Sequence, residues 1–233
     1  MRSHTAPDFR FFISSSSSSL SSGTWLALRA FSFAAVASAL LVCAGAALAQ
    51  SAVPADEPTA AGIERPSPGH WKDGVYRFLY NGAHHPAWLS DDEARAWVVD
   101  AARQWEVCGV RMEFQGDTDK LPGGRDGVNV VGWRTDLPPQ LRGITMGRQG
   151  NGELRERDIA WSPDRLEFQR FPRLLRKVLV HEFGHAIGLT HSARCDDVMT
   201  LAASCRRMAP SELPVAPTPH DVDRCKALYA RAN

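Results

Sequence analysis

No part of this sequence concentrates charge of one sign. Its 27 lysines and arginines nearly balance its 26 aspartates and glutamates, so the formal net charge is +1. A chain without a basic block lacks the electrostatic footprint of a nucleic-acid-binding protein, and we expect no nucleic-acid partner. No internal repeat is visible either, which argues against a repeat architecture.

Long apolar runs are also scarce, and the one that is present lies near the N-terminus. Three arginines precede the run AFSFAAVASALLVCAGAALA, which ends in Ala47-Leu48-Ala49. This order is typical of a secretory signal peptide, so we predict a signal over residues 1–49; an uncleaved membrane anchor is the alternative. Loss of its three arginines and one aspartate changes the net charge from +1 to −1. We expect an exported protein, periplasmic or extracellular, with no stable membrane insertion.

The remaining cysteines lack the paired C-x2-C spacing of cysteine-based zinc sites. Cys43 falls in the predicted signal, which leaves four, an even number in an exported chain. Disulfides are the natural interpretation, with a four-cysteine zinc site as the alternative. Four cysteines allow three pairings, of which we favour Cys195–Cys205 and Cys108–Cys225.

Residues 50–70 are rich in proline, alanine and serine, and we predict a disordered or loosely attached lead-in. Residues 71–233 are enough for one domain with its own core. Apolar alternation predicts strands over 74–81, 110–115, 127–133, 143–149 and 157–162. Helical spacing predicts helices over 90–109, 171–188 and 218–231, with Ser90 and Glu93 as a capping box. This order predicts an α+β fold with helices packed on a mixed sheet.

The stretch HEFGHAIGLTH, residues 181–191, contains the strongest functional pattern. His181 and His185 are four residues apart, so on a helix they share one face and can bind the same zinc ion. Glu182 can lean over the open coordination position and accept a proton from water as the general base. A continuous helix would carry His191 about 9 Å beyond His185. Gly188 can end the helix in a left-handed conformation, which lets the chain return His191 to the metal.

A chance match to these five fixed positions has a probability on the order of 10⁻⁵ to 10⁻⁴. An amphipathic helix with two ordinary histidines is the alternative interpretation. It leaves the helix-ending glycine and the third histidine unexplained.

The pattern resembles the signature of metzincin metallopeptidases. Ser192, and Met199 eight residues after His191, are similar to the matrixin branch, in which a methionine turn lies under the zinc. AARQWEVCGVRMEF and HDVDRCKALY also resemble matrixin segments, and the likeness extends over roughly residues 72–230. It implies a metzincin, zincin-like fold: a twisted mixed five-stranded sheet, three helices, and a cleft beside an edge strand. Residues 142–148 are the candidate edge strand.

The resemblance implies a secreted, monomeric zinc endopeptidase acting on protein or peptide substrates. This sequence departs from the family in three places. Residues 117–150 contain no histidine, so we predict no second zinc, and residues 50–107 contain no cysteine for a cysteine switch. Thr200-Leu201 replaces the x-Pro that often follows the methionine, which leaves substrate preference open. Asp117, Asp119 and Asp126 are candidate calcium ligands, although solvated loop carboxylates are commoner.

Several polar residues near the motif have two interpretations. Asp221 either braces the methionine turn or caps the last helix, and Asp196 and Asp197 either support that turn or face solvent. We expect His84-His85 in a surface turn and His220 in the first helical turn. The alternative function is a non-catalytic zinc-stabilised binding module on the same fold. Glu182 argues against it, because a structural zinc site closes its fourth position and needs no base.

Overall fold

The computed structural model describes residues 68–201 and 208–230, which belong to one contact unit. The predicted signal peptide and most of the lead-in lie outside these ranges. Within them, no helix has the length and apolar character needed to cross a membrane.

The described strands form one twisted, mixed, five-stranded sheet. They are β1 (Val75–Asn81), β2 (Arg111–Asp117), β3 (Val130–Trp133), β4 (Gly143–Gly150) and β5 (Glu153–Trp161). Their order is β2-β1-β3-β5-β4, parallel except for β4, which runs antiparallel to β5. The predicted edge strand is therefore at an edge. Strand β5 begins four residues earlier than we predicted, because Asn151 and Gly152 alone make the hairpin turn, both with positive φ.

In the ranges that the structure describes, four helices accompany the sheet: α1 (Asp91–Arg103), α2 (Leu166–Arg170), α3 (Pro172–Ala186) and α4 (Pro219–Ala230). The Ser90–Glu93 capping box is present at the start of α1. The helix predicted over 90–109 is α1 followed by a 3₁₀ segment, Gln104–Cys108, which Gly109 ends with φ of +91°. Helix α2 was not predicted, because five residues are too few to show helical periodicity.

Large aromatic side chains fill the space between the sheet and helices α1 and α3. Trp105, Trp133 and Trp161 are fully buried, and Trp97 is partly buried against the same core. The indole N–H of Trp105 donates to the Val180 carbonyl at 2.8 Å. This bond ties the 3₁₀ segment to α3, the helix that carries the histidines.

Covalent links also fasten the C-terminal half. Cys108 is bonded to Cys225, which joins the 3₁₀ segment to α4 across 117 residues of sequence. This is one of the two favoured pairs. Cys195 is also disulfide-bonded, and its predicted partner, Cys205, lies outside the described residues.

Residues 68–70, assigned from sequence to the lead-in, are packed onto the domain. His70 pairs with Glu153 at the start of β5, and the indole N–H of Trp71 donates to the Ala186 carbonyl at 2.9 Å. The phenol of Tyr229 donates to the Ile187 carbonyl at 3.0 Å. These two bonds satisfy carbonyls at the end of α3 that have no partner within the helix.

Candidate metal centre

Helix α3 carries the first two histidines on its buried side. Pro172 occupies the first helical position, where its missing N–H is not needed. Leu175, Leu179 and Phe183 are fully buried and hold the helix against the sheet. The local sequence therefore forms a helix whose orientation is fixed by packing.

The helix ends where the motif predicts. The Gly188 N–H bonds to the His185 carbonyl and the Leu189 N–H to the Gly184 carbonyl, both at 2.9 Å, which is a Schellman ending. Gly188 has a φ of +98°, and a Cβ there would lie 1.8 Å from the Gly69 carbonyl oxygen. Both the backbone conformation and the close approach of residue 69 therefore require glycine.

The three motif histidines meet at one point. The Nε2 atom of His185 lies 3.1 Å from Nε2 of His181 and 3.1 Å from Nε2 of His191. In the described part of the chain, this is the one group of three or more histidine, cysteine or acidic side chains close enough to share an ion. The first two are buried and His191 is exposed, so the point opens to solvent on one side.

Hydrogen bonds behind the rings fix their tautomers. Nδ1 of His181 donates to the Val198 carbonyl at 2.9 Å, and Nδ1 of His185 donates to the Leu189 carbonyl at 2.7 Å. A carbonyl can only accept, so these Nδ1 atoms carry the protons and the Nε2 lone pairs face one another. Burial lowers the pKa of His185 to about 3 and that of His181 well below its ordinary value, so both rings are neutral.

This donor set fits zinc. Two Zn–N bonds of about 2.0–2.1 Å at a tetrahedral angle separate their nitrogens by roughly 3.3–3.4 Å, close to the 3.1 Å observed. Facing lone pairs repel one another unless a cation lies between them. Neutral imidazoles, each held through its other nitrogen, are the usual ligands of catalytic zinc.

Glu182, the residue after His181, is also buried. Its Oε2 accepts a hydrogen bond from the Thr145 hydroxyl at 2.8 Å. A Cβ on Gly143 would lie 2.9 Å from Glu182 Cγ, so that glycine makes room for the side chain. Burial raises the pKa of Glu182 to about 7, against the lowering effects of the Thr145 bond and the Lys177 charge. Strand β4 therefore supplies both the space and the hydrogen bond for this carboxylate.

The methionine turn lies beneath the histidines. Met199 is fully buried, and a Cβ on Gly184 would lie 2.2 Å from its sulfur. Asp197, also fully buried, accepts hydrogen bonds from Ser192, from Thr218 at 2.7 Å and from His220 at 2.5 Å. Of the two alternatives for Asp197, supporting the turn is the one observed.

Asp221 is a second buried carboxylate near the turn, and it serves both of the roles that we considered for it. Its Oδ2 accepts from the Val198 N–H at 2.8 Å, which braces the turn, and from Thr218 at the start of α4. Asp196, by contrast, is exposed and pairs with Arg194 at 2.8 Å. His220 lies at the start of helix α4, as predicted, and its ring also contacts Asp197 of the methionine turn.

The remaining candidates lie elsewhere. Nε2 of His85 lies 2.6 Å from a carboxylate oxygen of Asp91, away from the three histidines. Asp117 pairs with Arg95 at 3.0 Å and Asp126 with Lys120 at 2.7 Å. Calcium binding by the loop that contains Asp119 stays a prediction.

Sequence reasoning missed three residues that contact the site: Gly143, Thr145 and Lys177. The glycine and the threonine reach Glu182 from a strand some 40 positions away, which no local spacing indicates. For Lys177 a signal was present. It lies four residues before His181, so the pattern places a lysine on the inward face of an apolar helix.

The sequence matches the model of the matrixin peptidase family over residues 78–230. The chain belongs to the matrixin family. It is therefore a zinc metallopeptidase by family, and the three histidines are its possible metal site. No significant match exists among curated proteins.

Comparison with solved structures gives distant likenesses. The GM1-bound form of the ECX AB5 holotoxin has a TM-score of 0.47 and 12% identity, covering 71% of this chain and 86% of the other. Archaemetzincin from Methanopyrus kandleri has a TM-score of 0.43 and 16% identity, and the match covers 70% of this chain and 97% of the other. Metalloproteinase-II from Bacteroides fragilis has a TM-score of 0.40 and 14% identity, and the match covers 71% of this chain and 56% of the other. All three scores are low, so the family assignment rests on the matrixin match.

Proposed function

We propose that this matrixin is an exported zinc endopeptidase in which His181, His185 and His191 hold the metal and Glu182 is the general base. The observation that carries the proposal is the convergence of three imidazole nitrogens, with the buried carboxylate of Glu182 on the residue next to the first of these histidines. A site that only stabilises the fold closes its fourth position with a protein ligand and needs no base.

Zinc bound here would polarise the scissile carbonyl and lower the pKa of a water molecule. Glu182 accepts the proton of the attacking water and then passes it to the leaving amine nitrogen. A base whose pKa is near the working pH can make both transfers, and burial raises the pKa of Glu182, which opposes the lowering that a nearby zinc ion would cause. The Thr145 hydroxyl fixes one carboxylate oxygen, so the other is left for the proton.

The substrate would lie extended along β4. This strand forms one edge of the sheet, and its Thr145 contacts Glu182, so the middle of the edge is beside the base. An extended peptide can add to such an edge through main-chain hydrogen bonds, with side-chain pockets giving preference. Binding in this mode favours cleavage within a chain, and thus endopeptidase activity.

Export is supported by the covalent chemistry of the described residues. Disulfides persist in oxidising compartments, and the Cys108–Cys225 bond is present. A signal over residues 1–49 would deliver the chain to such a compartment.

The test replaces Glu182 with Gln. The variant should retain zinc, because the histidines are unchanged, and lose casein cleavage by 10²-fold or more, about the contribution of a general base. Asp196→Asn is the control, since that exposed carboxylate near the turn has no role in the proposal. Parent-like cleavage by Glu182→Gln would disprove the assigned base. No cleavage and no zinc in the parent would disprove the proposed function.

A further inference from the structure

Lys177 is a charged side chain in a place where charge is costly. It is 3% exposed on the inward face of α3, one turn before His181. Buried lysines are rare, and an apolar side chain of similar length would fill the same volume without desolvating an ammonium group. Burial lowers the pKa of Lys177 to about 8, which shows that the position disfavours the charge. Packing alone therefore does not account for lysine here.

The ammonium group contacts the methionine turn. Nζ donates to the Val198 carbonyl at 3.0 Å and to the Thr200 carbonyl at 3.1 Å. These two residues flank Met199, so one side chain of α3 binds the main chain on both sides of the methionine. Hydrogen bonds from a charged donor are about twice as strong as neutral ones.

The Val198 carbonyl is shared with a metal ligand. Its oxygen accepts from Lys177 and also from Nδ1 of His181 at 2.9 Å. The N–H of Val198 donates to Asp221 at 2.8 Å. The ammonium group of Lys177 on α3 thus binds the carbonyl of Val198, and the carboxylate of Asp221 on α4 binds its N–H. The same carbonyl fixes the orientation of the His181 ring.

The charges around Lys177 favour this placement. Asp221 and Glu182 stabilise the ammonium group, whereas Arg142 opposes it. Asp221 is fully buried and therefore interacts at low effective dielectric. The ammonium group therefore interacts favourably both with the carboxylate that braces the turn and with the carboxylate of the base.

We propose that Lys177 is a positioning residue of the metal centre, which holds the Val198 carbonyl where it orients His181 and keeps the methionine turn against α3. This inference rests on the proposed function only in taking His181 as a zinc ligand. The inference goes beyond the proposed function because it assigns a role to a residue that contacts neither the metal nor the substrate.

Zinc binding by Lys177→Met measures the effect. Methionine is unbranched like lysine, one atom shorter, and lacks the charge and the donors, so the carbonyl that aligns His181 loses one of its two partners. Groups that hold a metal-bound histidine affect metal affinity by about 10–100-fold. Lys177 acts on His181 indirectly, through the Val198 carbonyl, so we expect an effect at the lower end of this range. The zinc dissociation constant, measured by competition with a chromophoric chelator, should rise about tenfold.

Two further readouts separate positioning from simple support of the fold. The visible spectrum of the Co²⁺-substituted variant should change, because it reports the geometry of the ligands. On a fluorogenic peptide, kcat should fall while KM stays constant. Lys177→Gln, which keeps one neutral donor, should lie between the parent and Lys177→Met. Lys226→Met, which replaces an exposed lysine of α4, is the control and should match the parent.

A parent-like dissociation constant and Co²⁺ spectrum in Lys177→Met would overturn the inference. So would failure of both Lys177 variants to fold with zinc present, because the lysine would then serve folding and not ligand placement. Absence of zinc binding by the parent would instead contradict the proposed function, so the two failures are distinguishable.

Discussion

Two groups of buried polar side chains in this molecule differ in how their hydrogen-bond donors and acceptors are matched. At the metal centre, the Nε2 lone pairs of His181 and His185 face one another at 3.1 Å, and Nε2 of His191 lies 3.1 Å from that of His185. On strand β5, buried Asp158 accepts three main-chain N–H bonds, from Gly123 at 2.5 Å, Gly124 at 3.2 Å and Val130 at 2.7 Å. Its neighbour Glu156, also buried, accepts from Arg148 at 2.6 Å. We call Asp158 and Glu156 the acidic pair.

The difference shows which grouping needs a ligand. At the acidic pair, main-chain N–H groups face both oxygens of Asp158, and Gly127 and Arg148 donate to one oxygen of Glu156, so donors of the protein itself hold the loop over residues 123–130. At the metal centre, the acceptor of His181 faces the acceptor of His185, and a cation between them would stabilise the arrangement. Convergence of polar side chains alone does not indicate a metal site; the direction of their protons and lone pairs does.

Metal removal should separate the two groupings most strongly. Chelation of zinc should abolish peptidase activity and lower Tm, since a ligand that binds only the folded state at 1,000 times its Kd contributes about 4 kcal/mol. Amide hydrogen exchange on the same sample should accelerate in residues 185–200 and stay unchanged in residues 118–130. Equal acceleration in both segments would show that the acidic pair also depends on the metal.

Gly188→Val should have the next largest effect, and it should be confined to the metal centre. The left-handed φ alone costs about 1–2 kcal/mol, and the added Cβ would overlap the Gly69 carbonyl. We expect a lower unfolding free energy in urea and loss of zinc by metal analysis.

Gly109→Val is the matched control for that variant. Gly109 has a similar φ of +91° with nothing within 4 Å of an added Cβ, so it reports the backbone cost alone. Full zinc occupancy in Gly188→Val would show that the turn does not place His191.

Asp158→Asn should have a smaller effect, confined to the acidic pair. An amide leaves at least one N–H of the loop without its acceptor, a cost of about 1–3 kcal/mol. Zinc affinity should not change. Weaker zinc binding in this variant would remove the distinction between the two groupings.

The pH dependence of that variant gives a finer test. Burial raises the pKa of Asp158 to about 6, above the unfolded value of about 3.9. The folded state therefore binds more protons between these values, and the unfolding free energy of the parent should fall as pH rises from about 4 to about 6. Relative to Asp158→Asn, the fall should reach at most about 3 kcal/mol. A difference that does not vary across this range would contradict the assignment.

The contrast also explains what the sequence could predict. The histidine spacing, the Gly188 turn and the Ser90 cap depend on residues a few positions apart, and their local geometry follows from helix dimensions. The contacts of Thr145 with Glu182 and of Asp158 with the loop join residues about 30 to 40 positions apart. They depend on how β4 and β5 pack against α3 and the loop, which periodicity does not reveal. Short elements such as α2 were missed for want of a full period.

Zinc K-edge X-ray absorption on the purified protein, with metal content measured on the same sample, tests the central claim most directly. We predict one zinc per chain with three imidazole nitrogens at about 2.0–2.1 Å and one further light ligand. A sulfur ligand, fewer than three imidazoles, or a metal-free active protein would contradict it.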